Sequence, residues 1–263
     1  MHCQSSVKTD GVRTIAIVGA GFSGSTLAAN LLLQPPGART HIILIDRAPD
    51  FCRGVAYAKR DFPYLLNVPA GQMSADPKRP REFLDFARTR LPNVSEEDFL
   101  PRSLYGDYLE ERLRNAERKK SSHIQFTKVC ASVHDMAPEG ACKWRLHLSE
   151  GASIVADDVV LACGNPPARP LELGKDVEPL VVDPWHQKLN LDDCHTVLLV
   201  GTGLTMVDVA LRLASQARVP VIHAISRHGL LPLVQTAFSR CPQKLEGKSL
   251  FESKVRSTRS ILR

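Results

Sequence analysis

The sequence predicts an α/β fold built on a parallel sheet, and three observations predict it. Two β-branched apolar runs are each followed at once by a glycine cluster, an Ala- and Leu-rich helical segment and another apolar run. The two glycine clusters, at Gly19 and Gly201, lie 182 positions apart. Between the two units stand three short strand candidates with polar turn chemistry.

Residues 13–18 (RTIAIV) carry no polar alternation, as expected of a strand buried on both faces. GAGFSG follows, then STLAANLLLQ at helical spacing, ended by Pro35, Pro36 and Gly37. HIILID (41–46) completes β–turn–α–β within 34 residues, the size of one crossover unit. From Arg47 to Leu104 the chain is rich in Pro, Gly and charge, with one helical stretch at PREFLDFARTR. SLYGDYLEERLRNAERKK (103–120) predicts a helix with a polar outer face. HIQFTKVCASV, KWRLHLS and ASIVADDVVLAC are the three strand candidates, the first two separated by a turn-like APEGAC. A parallel sheet interrupted by a short antiparallel meander fits that order. After a proline-rich link, TVLLV (196–200), GTGLTMVDVALRLASQA and PVIHAIS (220–226) repeat the strand–glycine–helix–strand pattern. From Val234 onward periodicity fades, and little packed structure is expected.

Composition sets the outer limits. The 263 residues are 43% hydrophobic and 24% charged, which excludes collagen, a disordered chain and a small disulfide scaffold. No apolar run reaches the roughly 18 residues that a membrane-spanning helix needs. The N-terminus has no apolar stretch of signal-peptide type, so a cytoplasmic protein is expected. The net charge of +6 belongs wholly to Arg227–Arg263, and residues 1–226 are neutral overall. The basic balance therefore describes a tail rather than a nucleic-acid-binding face, and neither nucleic acid nor membrane is expected as a partner. The seven cysteines (Cys3, Cys52, Cys130, Cys142, Cys163, Cys194, Cys241) include no CxxC pair, so zinc-ribbon and dithiol chemistry are not expected. His186 and His223 have no second ligand at metal-binding spacing, and no metal is expected. Ser23 and Ser226 lack the context of an activated nucleophile.

The first glycine motif carries the chemistry. Gly19, Gly21 and Gly24, with Phe22 and Ser23 between them, form GxGxxG after a buried strand and at the opening of a helix. Gly19 permits the tight turn, Gly21 lets the backbone approach a pyrophosphate, and Gly24 lets helix and strand pack closely. The helix N-terminus favours the phosphate charge. Asp46 ends the second strand, 22 positions after Gly24, where a carboxylate accepts from an adenosine ribose hydroxyl. This is a Rossmann-like dinucleotide signature. In the second unit Gly201, Gly203, Leu204 and Thr205 keep two glycines and lose the third. Its second strand ends in Ile225-Ser226-Arg227 with no acid, which favours NADPH over NADH if Arg227 meets a 2′-phosphate. Arg227 as a plain surface cation remains the alternative.

Two dinucleotide motifs on one chain suggest FAD with NAD(P)H, and the words around them match a family. IAIVGAGFSG, RGVAYA (53–58), YLLNVPAGQMSADPKRPREFLDF (64–86), FLPRSLYGDYL (99–109), VVLACGNPP (159–167), DPW (183–185), VLLVGTGLTMVDVAL (197–211) and HAISRHGLLP (223–232) occur in order. The sequence thereby resembles the FAD–NAD(P)-binding protein family that includes flavin-dependent urate-hydroxylase-like proteins, relatives of the N-hydroxylating flavoprotein monooxygenases. The resemblance implies a Rossmann-like FAD-binding domain over 1–190 and the start of a second Rossmann-like NAD(P)-binding domain over 191–233. A basic, poorly ordered tail would occupy 234–263. It implies that Arg53, Asn67, Gln72 and Met73 line the flavin, and that Val129 presents backbone groups to the adenine. Cys163 and Gly164 would stand beside the flavin, and Gly201, Gly203, Leu204 and Thr205 with Arg227 would hold NADPH. For Met73 and Val129 the alternative is an ordinary core position. For Asn67 it is a loop hydrogen bond, and for Cys163 a small core residue.

The implied function is an FAD- and NADPH-dependent oxidoreductase of monooxygenase type acting on a small-molecule substrate. The alternative is a non-catalytic nucleotide-binding or interaction module. A disulfide reductase is disfavoured by the absence of paired cysteines. The resemblance stops after GLLP, 31 residues before Arg263, so a shortened form with impaired catalysis is also expected. Catalytic residues and oligomeric state stay open.

Overall fold

The computed structural model describes residues 11–33, 37–166, 169, 181–185, 194–215 and 221–233. Two units divide the chain, Met1–Pro232 and Leu233–Arg263. The predicted basic tail and His186 lie outside the described residues.

The first unit is layered on a four-stranded parallel sheet. Its strands are β1 (Arg13–Val18), β2 (Thr40–Asp46), β3 (Ile124–Cys130) and β7 (Asp158–Leu161), in the order β3-β2-β1-β7. β1 and β2 are sandwiched as their unbroken apolar sequences require. Ile15, Ile17, Ile42 and Leu44 face one cluster, which holds α1 (Phe22–Leu33), α2 (Glu82–Arg88) and α3 (Arg102–Lys119). Ala16, Ile43 and Ile45 face the other, with Leu146, Leu148 and Ala156 of an antiparallel meander. That meander is β4 (Val133–Glu139), β5 (Lys143–Leu148) and β6 (Ser153–Ala156). Period-2 side chains thus serve two different cores from one strand.

α1 buries Gly24, Ser25, Ala28, Ala29 and Leu32 on one stripe. α3 meets the same core with Tyr105, Tyr108, Leu109, Leu113 and Ala116, while Arg114, Arg118 and Lys119 are exposed on its outer face. An aromatic group ties the layer together: Tyr57 and Tyr105 are 4.7 Å apart between ring centroids, Phe83 and Tyr105 4.9 Å. α3 also carries one buried cation, Arg112, which reaches Asn30 on α1 at 3.0 Å and Glu82 on α2 at 3.3 Å.

Two sequence runs that read as single strands are each divided between sheets. HIQFTKVCASV supplies β3 to the parallel sheet and then the start of β4 to the meander, and β4 continues through the first three residues of the segment expected to turn. ASIVADDVVLAC supplies β6 and then β7, breaking at Asp157, whose carboxylate accepts the Thr14 amide at 2.7 Å.

The second glycine unit consists of β8 (Thr196–Val200), α4 (Leu204–Ala214) and β9 (Val221–Ile225), with β8 and β9 parallel. Val209 and Leu213 of α4 are its buried side chains. It repeats the local pattern of the first glycine unit without its two-sided burial: Leu198, Val200, Val221 and Ile225 are exposed. Among the described residues no helix is long and apolar enough to cross a membrane.

Candidate functional site

The strands β1, β2 and β7 end together, and the chain leaves β1 toward β2 on one side while β7 flanks it on the other. Such a divergence at the carboxyl ends of parallel strands opens a crevice for a ligand. Gly19, at φ +99°, turns the chain out of β1; its amide donates to the Ile45 carbonyl at 2.8 Å. A side chain at Gly19 would run into the Ala162 carbonyl, and one at Gly24 into the carbonyl of Gly19. Both glycines are therefore demanded by packing within the protein itself.

Gly21 is different. A Cβ there would meet only the Gly54 Cα, at an ordinary 3.7 Å. The two glycines face each other with no side chain between them, at the mouth of α1. That helix has no acidic residue in its first turn, so the unpaired amides and positive end of the dipole stay available for an external anion. The bare backbone fits a pyrophosphate.

Asp46 closes the loop from the side. One carboxylate oxygen accepts the Ala20 amide at 2.6 Å and the other the Ala48 amide at 3.1 Å. Its expected ribose-binding role is thus joined by one that sequence reading missed, the fastening of the glycine loop itself. Cys52, another residue outside the motif, donates its amide to the Ala20 carbonyl at 2.7 Å. Its side chain is buried, and burial pushes its thiol pKa up. Ser25 donates its hydroxyl to the same carbonyl at 2.9 Å. Phe22 lies half-exposed against Tyr57, and Ser23 is exposed.

The remaining predicted residues fall into three groups. Arg53 is turned inward, 3% exposed. Its Nε donates to Glu110 at 2.5 Å, Nη1 to the Ser103 and Tyr57 carbonyls at 3.0 and 3.3 Å, and Nη2 to Asp107. The guanidinium anchors the 52–57 segment to α3. Burial lowers the Arg53 pKa, but the two carboxylates outweigh it and raise the pKa above its ordinary value. Asn67 and Gln72 are exposed, and Met73 packs half-buried against the first core cluster. They sit on a strap held along residues 96–102: the Leu66, Ala70 and Gly71 amides donate to the carbonyls of Leu100, Asp98 and Glu96. Gln72 ends a short 3-10 turn, Ala70–Gln72.

Val129 pairs with Ile45 in the ladder between β2 and β3, and its side chain packs toward the second core cluster. Cys163 corrects one expectation: it is exposed rather than a core residue, because β7 ends at Leu161 and the chain leaves the sheet there. Its thiol lies 3.8 Å from the Val18 carbonyl, beside the first glycine turn. Gly164, at φ +68°, has open space where a Cβ would stand.

In the second glycine unit Gly201 turns out of β8 at φ +102°, its amide donating to the Ile225 carbonyl at 2.8 Å. Gly203 caps α4, and a Cβ at either glycine would meet nothing. Leu204 and Thr205 open the helix, exposed, and Arg227 lies exposed at the end of β9. The two loops are joined by hydroxyls absent from the predicted site. Thr202 donates to the Leu230 carbonyl at 2.5 Å and lies 2.9 Å from the Ser226 hydroxyl, which accepts the Gly229 amide at 3.0 Å. Among the described residues no group of three His, Cys, Asp or Glu side chains is disposed to hold a metal ion.

No curated protein matches the chain. Solved structures that share the fold include the ornithine N-hydroxylase of Kutzneria sp. 744, at 17% identity over 82% of this chain and 53% of that one, TM-score 0.54. They include cyclohexanone monooxygenase from Rhodococcus sp. Phi1, at 20% identity over 82% and 39%, TM-score 0.51. The bacillithiol disulfide reductase of Staphylococcus aureus matches at 16% identity over 81% and 56%, TM-score 0.53. The chain thus spans only part of the length of each. The family model described as FAD-NAD(P)-binding matches residues 16–166, which hold the first glycine loop, Asp46, the strap and the end of β7. With the match spanning more than half of the sequence, the chain belongs to the FAD–NAD(P)-binding family.

Proposed function

We propose that this protein is an NADPH-dependent flavoprotein oxidoreductase of monooxygenase type, acting on a small molecule. The observation that carries the reading is the pair of glycine turns on one chain, each leading from a parallel strand into a helix. The likeness in fold to two monooxygenases supports it, the Kutzneria structure being one with reduced FAD, NADP+ and L-ornithine.

On this reading the bare backbone at Gly21 and the first amides of α1 take the pyrophosphate of FAD. The Asp46 carboxylate keeps acceptor capacity beyond its two amide partners and orients the ribose. Asn67, Gln72 and Met73 line the ring system, and Arg53 supports the 52–57 segment beneath it through α3. Gly201, Gly203, Leu204 and Thr205 receive the second dinucleotide, and Arg227 meets its 2′-phosphate. Bound flavin supplies hydride acceptance from NADPH and the reaction of its reduced form with oxygen. The chain's own residues bind both dinucleotides, orient them and exclude water from the flavin face. Cys52, Cys130, Cys163 and Cys194 are free thiols, which suits a reducing cytoplasm.

The test is the visible spectrum of the purified chain after FAD addition and removal of excess. Retained flavin that bleaches with NADPH under anaerobic conditions supports the reading. Retained flavin that does not bleach favours a nucleotide-binding module instead, and no retained flavin refutes the enzyme. Thiol alkylation localises the site independently. FAD should shield Cys163, beside the first glycine turn, while Cys142 on the hairpin between β4 and β5 stays as reactive as before.

A further inference from the structure

Arg102 stands where the strap and the second glycine unit meet. It is the first residue of α3, and its backbone amide donates to the Tyr64 carbonyl at 2.8 Å. Its guanidinium serves three partners. Nε donates to the Leu65 carbonyl at 2.9 Å, Nη2 donates to the Asp208 carboxylate at 2.8 Å, and Cζ lies over the Trp185 ring at 5.1 Å. Trp185 in turn packs against Tyr64, tilted by 58° with 5.4 Å between centroids. One side chain therefore binds the start of the strap to α4.

α4 presents a second charge one turn further along. Arg212 donates to Asp61 at 2.7 Å. Acid meets arginine at the first position and arginine meets acid at the second, a pattern that admits one setting of the helix. The two pairs differ in solvent access. Asp61 is 65% exposed, so its pair is screened and contributes little. Arg102 and Asp208 are only 20% and 16% exposed. Burial raises the Asp208 carboxyl pKa against the opposing pull of Arg102. An ion pair held where burial works against its charge is a poor source of stability and better suited to specifying an arrangement.

We propose that Arg102 is a positioning residue: through Asp208 it sets α4, and with it the second glycine turn, against the strap of residues 64–67. The inference rests on the reading that the strap lines the flavin and that the second turn holds the nicotinamide nucleotide. Hydride transfer tolerates little slack between donor and acceptor, so a strut between the two binding segments acts on the transfer step rather than on either affinity.

The experiment compares the full chain with Asp208→Asn, Arg102→Lys and, as a control, Asp61→Asn. Amide hydrogen exchange is measured without cofactor. Asp208→Asn and Arg102→Lys should raise exchange in 64–67 and in 204–214 together, by about tenfold, the scale of a hydrogen bond to a charged group. Asp61→Asn should alter neither segment. Exchange that rises in α4 alone, or in neither segment, overturns the proposal. In the FAD-loaded chain, Asp208→Asn should slow anaerobic flavin reduction at saturating NADPH about tenfold, with FAD affinity and reduction by dithionite unchanged. Reduction at the rate of the unaltered chain also overturns it. If the unaltered chain binds FAD and is not reduced by NADPH, the redox reading fails, and the exchange result alone decides the coupling.

Discussion

Replacing Gly106 by alanine sets two effects of opposite sign against each other. Gly106 lies inside α3, where alanine gains about 1 kcal/mol of helix propensity over glycine. Its added methyl, however, would sit on Nη1 of Arg53 and 2.7 Å from the Tyr57 carbonyl. Arg53 has no room to retreat, since it is buried and committed to Glu110, Asp107 and two carbonyls. Breaking a fully buried pair costs about 3–5 kcal/mol. Asp107 and Glu110 are 43% and 32% exposed, so the loss is discounted to about 2–4 kcal/mol, still well above the propensity gain. The net loss is about 1–3 kcal/mol, so Gly106→Ala should lower the melting temperature by roughly 2–6 °C in a chain of this length. The control is Gly37→Ala, where a Cβ meets nothing within 4 Å and the melting point should hold or rise slightly. If Gly106→Ala melts at or above the parent temperature, the packing argument for Arg53 is wrong.

Two further outcomes follow from the same geometry. Gly21→Ala should leave the melting temperature nearly unchanged while abolishing FAD retention, because its methyl contacts only the Gly54 Cα; Gly24→Ala should destabilise the fold even without ligand, since its methyl collides with the Gly19 carbonyl. Calorimetric titration with FAD alongside thermal melting separates the two. Burial raises the Asp76 carboxyl, but the Lys78 amide, Arg79 and Arg112 outweigh it and hold its pKa below the ordinary value. Its contribution is therefore complete above the unfolded carboxylate pKa and is lost as pH falls through the lowered folded value, so Asp76→Asn should flatten the acid limb of a stability–pH curve.

Much of the first unit was legible because its physics is local. β1 matches the expected strand residue for residue, and β2 extends it by Thr40 alone. An unbroken β-branched run has few options other than a strand covered on both faces. The glycine spacing marked the turn, since Gly19 and Gly24 are needed by contacts within one βα turn. The meander was legible only in outline. Alternation shows that 123–133 is extended, but it cannot say that β3 ends where Cys130 pairs with Asp46 and that the next residues join another sheet.

The side-chain environment of the site follows the same division. Asp46 was placed by spacing, whereas its hold on the Ala20 amide depends on how the loop folds back. Arg53 was expected beside the flavin, and the structure closes Asp107 and Glu110 upon it from a helix more than fifty residues away. The exposure of Cys163 and the link from Arg102 to Asp208 likewise depend on where distant segments stop and meet. By itself the sequence determined the strand–glycine–helix units, their order and the dinucleotide chemistry they suit, because those depend on neighbours within about one crossover unit. Tertiary structure alone decided which sheet each later strand joins and which charges pair, because period and propensity act over a few residues, whereas burial and ion pairing depend on residues brought together from across the chain.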